Sequence, residues 1–294
     1  MVYSKRTKPI SLVIMESLER RTTLSRKHTN YLRGMQKGFQ GELAFDRMAE
    51  ELGQGCVILK DLFLQPNMSN AFQLDALIVI GETIYLYEIK NYSGEYTYGP
   101  EMLLKKPDFE LSNPLIQLQN TKNRLKIFLK ELGYVLEIKA YVAYVNPEFT
   151  LFHAPKLDTV LLPTQLNSHF SELTIEAAAL LTPPKKFVQD LMKHNVAQPR
   201  FIEDIPEYNF SDLKKGVTCE ECGSFELVNY RQNYQCCNCG FKNPLHSALL
   251  NTITEYQRLF PESKLTTGMM YNWCNKTASK KRIKRALNEI RGKQ

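Results

Sequence analysis

Two apolar runs with a turn between them dominate the first half of the chain. Gln73-Leu-Asp75-Ala-Leu-Ile-Val-Ile80 leads through Gly81-Glu82 into Thr83-Ile-Tyr-Leu-Tyr-Glu88-Ile-Lys90. Both runs are rich in β-branched and aromatic residues, and Gly81 suits the first central position of a II′ turn, so the segment reads as a hairpin. With Ile80 facing Thr83, the same register sets Asp75 across from Glu88 and Gln73 across from Lys90. Directly opposed residues have Cβ atoms about 4.5–5.5 Å apart, and like charges so placed repel. A cation between them, or a proton on one of them, relieves the repulsion. Lys90 lies two residues beyond Glu88 and therefore projects from the same face. Ile84 and Leu86 share that face, while Tyr85, Tyr87 and Ile89 line the other. A strand that is apolar on both faces is expected at the centre of a covered sheet, and charges at its end need partners.

The remaining pattern places further elements around this hairpin. Ile10, Val13, Ile14, Met15 and Leu18 fall at helical spacing within residues 8–33. Gln40 to Gly53 reads as a helix with Leu43, Met48 and Leu52 on its apolar side and Gly53 as its stop. Val57 to Leu64 reads as a strand. Pro114 to Leu132 reads as a helix whose inner face is Leu118, Leu125, Phe128, Leu129 and Leu132. Strands are expected at 138–145 and 159–162, and two helices between Leu166 and His194, broken at Thr182-Pro183-Pro184. The stretch from Gln198 to Gly216, with Pro199 and Pro206, reads as a linker. Strands and helices in this order imply an α/β sandwich.

An aspartate, a glutamate and a lysine on adjacent strands suit a divalent-metal site for phosphodiester hydrolysis. The plain alternative is a solvated strand face, since such pairs are common on exposed sheets; the two-sided apolar pattern of the strand weighs against it.

Residues around the hairpin resemble a known family. Gly41-Glu42 opening a helix, Gln73-Leu74-Asp75, Glu88-Ile89-Lys90-Asn91 with Gly94, and Asn113-Pro114-Leu115-Ile116-Gln117 follow one another in the order of the nuclease-related domain (NERD). That family is a branch of the PD-(D/E)xK superfamily, with a restriction-endonuclease-like core. Tyr92 departs from the pattern, because many relatives carry Trp after the Lys-Asn pair. The resemblance implies a mixed central sheet flanked by helices and a metal-dependent nuclease. It implies that Asp75 and Glu88 bind the metal and that Lys90 positions or activates water and balances phosphate charge. Glu42 would assist the metal or water, and Gln117 would stand near the site. Mg²⁺ or Mn²⁺ is the expected ion, since hard oxygen ligands suit it. Each residue also has an ordinary alternative: a solvent-facing Glu42, a surface Glu88–Lys90 pair, a plain helix glutamine at 117.

The seven cysteines add a second signal. Cys219-Glu-Glu-Cys222-Gly and Cys236-Cys-Asn-Cys239-Gly are two C-x-x-C-G knuckles separated by thirteen residues. Their spacing predicts a zinc ribbon in which Cys219, Cys222, Cys236 and Cys239 hold a structural Zn²⁺ and residues 225–234 form a short hairpin. The competing reading is a redox dithiol pair. Cys237 has the wrong spacing and is expected to be a bystander, and Cys56 and Cys274 to be buried apolar residues. An odd cysteine count argues against a disulfide framework.

Beyond Pro261 the chain turns basic. Leu265 to Cys274 reads as a helix capped by threonine, Asn275-Lys-Thr277 as a turn, and Ala278 to Ile290 as a second helix with Ile283, Ala286, Leu287 and Ile290 as its apolar stripe. Lys280, Lys281, Arg282, Lys284 and Arg285 cover the rest, together with Arg291. This resembles a helix-turn-helix able to meet phosphates or a major groove. A packed amphipathic helix, or one lying on a membrane surface, would give the same pattern.

At 294 residues the chain predicts two or three domains, and its net charge of +7 is moderate. No apolar run is long enough to span a membrane, and Ile10 to Met15 ends at Glu16 without a small-residue cleavage site. A cytoplasmic, bacterial protein is the expectation. The expected domains are an N-terminal helical extension (1–37), a nuclease-like domain (38–155), a helical extension and linker (156–215), a zinc ribbon (216–245) and a basic helix-turn-helix-like segment (246–294). The expected function is metal-dependent hydrolysis of nucleic acid, with DNA as the expected substrate; the alternative is a non-catalytic DNA-binding or scaffold protein, with the ribbon as a contact for a protein partner. Paired cuts on opposite strands by a single site would require a homodimer.

Overall fold

The computed structural model describes residues 6–53, 55–66, 70–107, 109–180, 185–196, 205–230 and 232–292. Its chain order begins with α1 (Ile10–Arg21), α2 (Arg26–Glu50), β1 (Cys56–Leu64), β2 (Phe72–Ile80), β3 (Thr83–Lys90), β4 (Gly94–Thr97), β5 (Met102–Lys105) and β6 (Phe109–Ser112). Next come α3 (Pro114–Glu131), β7 (Glu137–Tyr144), β8 (Phe149–Phe152), β9 (Val160–Leu161), α4 (Pro163–Ala179) and α5 (Lys185–Lys193). The remainder is β10 (Leu227–Tyr230), β11 (Asn233–Cys236), β12 (Lys242–Pro244), α6 (Leu245–Leu259), α7 (Thr267–Trp273) and α8 (Lys280–Arg291). Two compact units result: Met1–Lys8 with Gly34–Pro199, and Pro9–Arg33 with Arg200–Gln294.

In the first unit a five-stranded mixed sheet runs in the order β1-β2-β3-β7-β9. The hairpin forms with Ile80 opposite Thr83 and Ala76 opposite Tyr87, and Gly81 supplies the positive φ of 55° that the turn requires. Strand β3 pairs on its other side with β7 in parallel, with Glu88 beside Val142, which makes β3 a central strand. Its alternation divides two cores. Ile84 and Leu86 pack with Leu118, Leu125, Phe128 and Leu129 of α3 and with Phe187, Val188 and Leu191 of α5. Tyr85, Tyr87 and Ile89 pack with Phe45 and Ala49 of α2, with Leu52 just beyond it, and with Leu166, Phe170 and Leu173 of α4. The result is a helix–sheet–helix sandwich. The break expected at Thr182-Pro183-Pro184 lies outside the described residues.

The alternation of β1 and β2 is interrupted at one level. Val57, Leu59, Leu62 and Leu64 of β1 and Phe72, Leu74, Leu77 and Val79 of β2 all join the same core, although the step from 59 to 62 and from 74 to 77 is odd. The pairing of Lys60 with Ala76 and of Leu62 with Leu74 sets Asp61 opposite Asp75 at this step. Asp61 takes a left-handed φ of 52°, a conformation that a short polar side chain tolerates better than most. The two strands therefore reset their faces together at the level of Asp75. This corrects the expected hairpin pairing: the β2–β3 ladder ends at Ala76–Tyr87, and Gln73, expected across from Lys90, instead donates to Asp61 Oδ1 at 3.0 Å.

A second, four-stranded sheet in the order β6-β5-β4-β8 was not legible in the sequence. Its strands are four residues each, too short for a periodic signal. Helix α2 starts at Arg26 rather than at Gln40.

The second unit holds the antiparallel sheet β10-β11-β12 and the helices α1, α6, α7 and α8. The expected N-terminal extension 1–37 does not stand alone. Arg21 of α1 is buried, 2.5 Å from Glu255 Oε2 of α6, donates to Lys214 O at 2.7 Å, and stacks 4.0 Å from the centre of the Trp273 ring. The expected linker also differs. Residues 198–204 lie outside the described residues, but beyond them Tyr208 donates to Leu259 O at 2.8 Å and the Phe210 ring lies 5.7 Å from that of Trp273. The prolines and polar residues of this stretch mask two aromatic anchors.

Candidate active site

The carboxyl end of β3 carries Glu88 and Lys90 on the α3 side of the sheet. Glu88 is 6% exposed, and its Oε1 lies 2.7 Å from Lys90 Nζ. Lys90 also donates to Gln117 Oε1 at 3.2 Å. Asn113 accepts from Leu115 N at 3.0 Å and so caps α3, with Pro114 at the first helical position, which fixes the turn that presents Gln117.

Asp75 comes from the neighbouring strand. Its Oδ2 accepts from the backbone N–H of Ile89 at 2.9 Å. The carboxylate thus takes an amide of β3 where the ladder has ended, and sits between the backbone and the Glu88–Lys90 pair. From the other side of the sheet, Arg6 donates to Asp75 O at 2.8 Å, to Glu42 Oε2 at 2.8 Å and to Asp46 Oδ2 at 3.0 Å. The Arg6 side chain is 1% exposed. Lys60 stands 3.6 Å from Asp46 and also pairs with Glu50.

Four acidic groups (Glu42, Asp46, Asp75 and Glu88) and three cations (Arg6, Lys60 and Lys90) thus share a desolvated region, and the electrostatics follow. Burial raises the Glu88 pKa to about 7; Asp75 adds to the rise and Lys90 opposes it. Burial likewise raises Glu42 to about 7, with Arg6 opposing and Asp75 adding. Asp75 is raised by burial, against the pull of the Ile89 amide. For Lys90, burial works against the ammonium form, but Glu88, Tyr92 and Asp75 together outweigh it and the pKa ends above its ordinary value. Carboxylates held in this state gain from an added cation.

The strand end is tied down by Asn91. Its Nδ2 donates to Lys37 O at 2.6 Å, and its Oδ1 accepts from Asn146 at 2.9 Å. Gly41 on α2 is required here, since a Cβ at that position would fall 2.4 Å from Asn91 Cβ. All five residues singled out in the sequence, Glu42, Asp75, Glu88, Lys90 and Gln117, fall within this linked group. Arg6 and Asp46 were missed. Arg6 lies in a basic amino-terminal stretch that carries no element signal, and Asp46 looks like any charge on a helix.

The cysteine knuckles also converge. The Sγ atoms of Cys219, Cys222, Cys236 and Cys239 all lie within 4.8 Å of one another. Cys219 and Cys239 are 3.7 Å apart and Cys222 and Cys236 3.5 Å. Tetrahedral zinc with bonds of about 2.3 Å requires sulfurs about 3.8 Å apart, so the four thiols fit the ion. Cys237 is exposed and outside the cluster, while Cys56 and Cys274 are buried.

Helices α7 and α8 are joined by a turn in which Asn275 and Lys276 adopt positive φ. Ile283, Ala286 and Leu287 are buried, and Lys280, Lys281, Arg282, Lys284 and Arg285 are exposed. Thr266 caps α7 and Ser279 caps α8.

A mixed sheet between helical layers, with carboxylates and a lysine gathered at the end of its central hairpin, defines a nuclease-like α/β fold. Residues 37–145 match the family model of the nuclease-related domain. No curated protein and no solved structure matches the chain. Among the described residues no helix is long and apolar enough to cross a membrane.

Proposed function

We propose that the protein is a divalent-metal-dependent nuclease acting on DNA, with the zinc ribbon and the basic α8 helix as nucleic-acid contacts. The observation that carries this reading is the buried Glu88–Lys90 pair beside Asp75. Its oxygens are the donors that Mg²⁺ or Mn²⁺ prefers, and its raised carboxylate pKa values mark a place where a cation is wanted. Asp75 and Glu88 would hold the ion, which when bound supplies Lewis-acid stabilisation of the phosphate charge.

The chain's own residues account for the rest. Lys90 keeps its proton and donates to a phosphate oxygen, stabilising the negative charge that grows as water attacks phosphorus. A bond forms between the water oxygen and phosphorus, the bond from phosphorus to one ester oxygen breaks, and that oxygen takes a proton from a solvent water as it leaves. Glu42, with a pKa of about 7, is suited to accept the proton that the water gives up. Gln117 orients the Lys90 ammonium through the 3.2 Å hydrogen bond.

The four-thiolate site would be structural, because a closed Cys₄ set leaves no position for substrate. A non-catalytic reading draws on the exposed cations of α8, which need no hydrolytic chemistry to bind nucleic acid; it would also allow a protein partner at the ribbon. Incubating labelled DNA and RNA with the protein and Mg²⁺ or Mn²⁺ separates the two. The nuclease reading expects metal-dependent product, and the non-catalytic reading expects retention without cleavage.

A further inference from the structure

Ser93 follows Lys90 by three residues and collects two lysines from distant parts of the first unit. Lys37 of α2 donates from Nζ to Ser93 Oγ at 2.5 Å, and Lys105 of β5 donates from Nζ to Ser93 O at 2.9 Å. Two ammonium groups therefore meet across one small residue. Among the described residues neither lies within 4.0 Å of a carboxylate oxygen. The nearest acidic influence on Lys37 is Glu148, which is outweighed: burial lowers the Lys37 pKa and the Lys105 charge lowers it further. Two like charges without a close counter-ion call for an anion.

The pair is held in place relative to the acidic site. Lys37 O accepts from Asn91, the residue after Lys90. Lys105 Nζ lies 5.2 Å from the centre of the Tyr96 ring, a cation–π contact that steadies the ammonium group. Lys37 also precedes Glu42 by five residues on one helix, a separation of about 7.5 Å along the axis. One strand of nucleic acid can reach both places. Compact ammonium charges and a hydroxyl suit phosphate oxygens, and the group offers nothing that reads a base edge.

We propose that Lys37, Lys105 and the Ser93 hydroxyl form a second phosphate subsite, which grips a non-scissile phosphate of the strand whose scissile phosphate lies at Lys90. This rests on the nuclease reading for the identity of the strand. The subsite makes backbone contact independent of sequence and sets which phosphodiester reaches the carboxylates.

The test uses the full-length protein, its K37A/K105A and K37R/K105R variants, and fluorescein-labelled single-stranded and duplex DNA in EDTA, with anisotropy read across a salt series. Loss of one phosphate contact lowers the slope of log K against log salt by about 0.9 for duplex, or about 0.7 for single strands. That decrease adds to whatever the rest of the chain contributes, so other binding surfaces do not mask it. The alanine variant should bind more weakly with the lower slope, and the arginine variant should keep the wild-type slope. Mn²⁺ titration should give the same affinity in all three proteins, since the lysines are not ligands. A wild-type slope in the alanine variant, or its low slope in the arginine variant, overturns the subsite while leaving the nuclease reading intact. A wild-type protein that neither binds nor cuts any of the nucleic acids defeats the nuclease reading, and the subsite with it.

Discussion

Asp75 accepts the backbone N–H of Ile89 at 2.9 Å, and so the carboxylate replaces a rung of the sheet. The two strands cannot continue as a regular ladder past Ala76 and Tyr87. In exchange, the aspartate is fixed next to Glu88 and Lys90 without resting directly on either. A charge-assisted bond to a backbone amide holds a carboxylate oxygen in place, and a second oxygen is left for other use. Asp75→Asn keeps the shape but gives up the charge, and it is expected to abolish Mn²⁺ binding measured by calorimetry. Retention of wild-type affinity would show that Asp75 is no ligand.

The raised carboxylates carry a pH signature in the metal-free protein. Glu88 stands at about 7 when folded, against an ordinary value of 4.5. Between those values the folded chain keeps a proton that the unfolded chain has lost. The stability from this group is therefore present at low pH and falls as pH rises through the window toward 7. Glu88→Gln removes that contribution, so its melting temperature in EDTA should fall less than the wild type's between about pH 5 and pH 8. Parallel profiles for the two proteins would contradict the burial of this charge.

Arg6 is the buried counter-charge of Glu42 and Asp46. Removing one partner of a buried pair leaves uncompensated charge and typically costs about 3–5 kcal/mol. Arg6→Ala should accordingly lower the unfolding free energy by an amount in that range, read as the shift of the urea midpoint multiplied by a fixed slope. A cost below about 1 kcal/mol would mean that Arg6 is solvated.

The four cysteines should hold about one zinc per chain. Replacing Cys219 and Cys222 with Ser should remove the metal, as read by atomic absorption, and expose Trp273, which shares the second unit with the ribbon, to fluorescence quenching. A zinc-free protein with unchanged tryptophan protection would argue against the ribbon.

On α8, substitution of the exposed cations is a cleaner test than truncation, because Trp273, Ile283 and Leu287 are buried parts of the second unit's core. Replacing Lys280, Lys281 and Arg282 with Ala should weaken nucleic-acid binding and lower its salt slope by up to about 2.7 for duplex. An unchanged slope would remove this helix from the interface.

Much of the site was legible because its signals are local. Gly81 and the two-residue loop set the hairpin register, and the alternation of Tyr85, Leu86 and Tyr87 sorted the two cores. The cysteine spacing did the same for the ribbon. The opposed Asp75–Glu88 pair was misjudged because the reset at Asp61 and Asp75 depends on a positive φ that no turn residue announces. Arg6 was hidden for another reason: its partners lie 36 and 40 residues away, and only the folded chain brings it against Glu42 and Asp46 of α2. Likewise, Lys37 and Lys105 look like ordinary surface charges until β4 and β5 place them on one serine.

The central claim meets its most direct test in cleavage of labelled single- and double-stranded DNA and RNA with Mg²⁺, Mn²⁺ or EDTA, with Asp75→Ala and Lys90→Ala beside the wild type. Product that requires metal and disappears in both variants is the expected result. Intact substrate in every wild-type lane while binding persists, or cleavage that survives both substitutions, would contradict it.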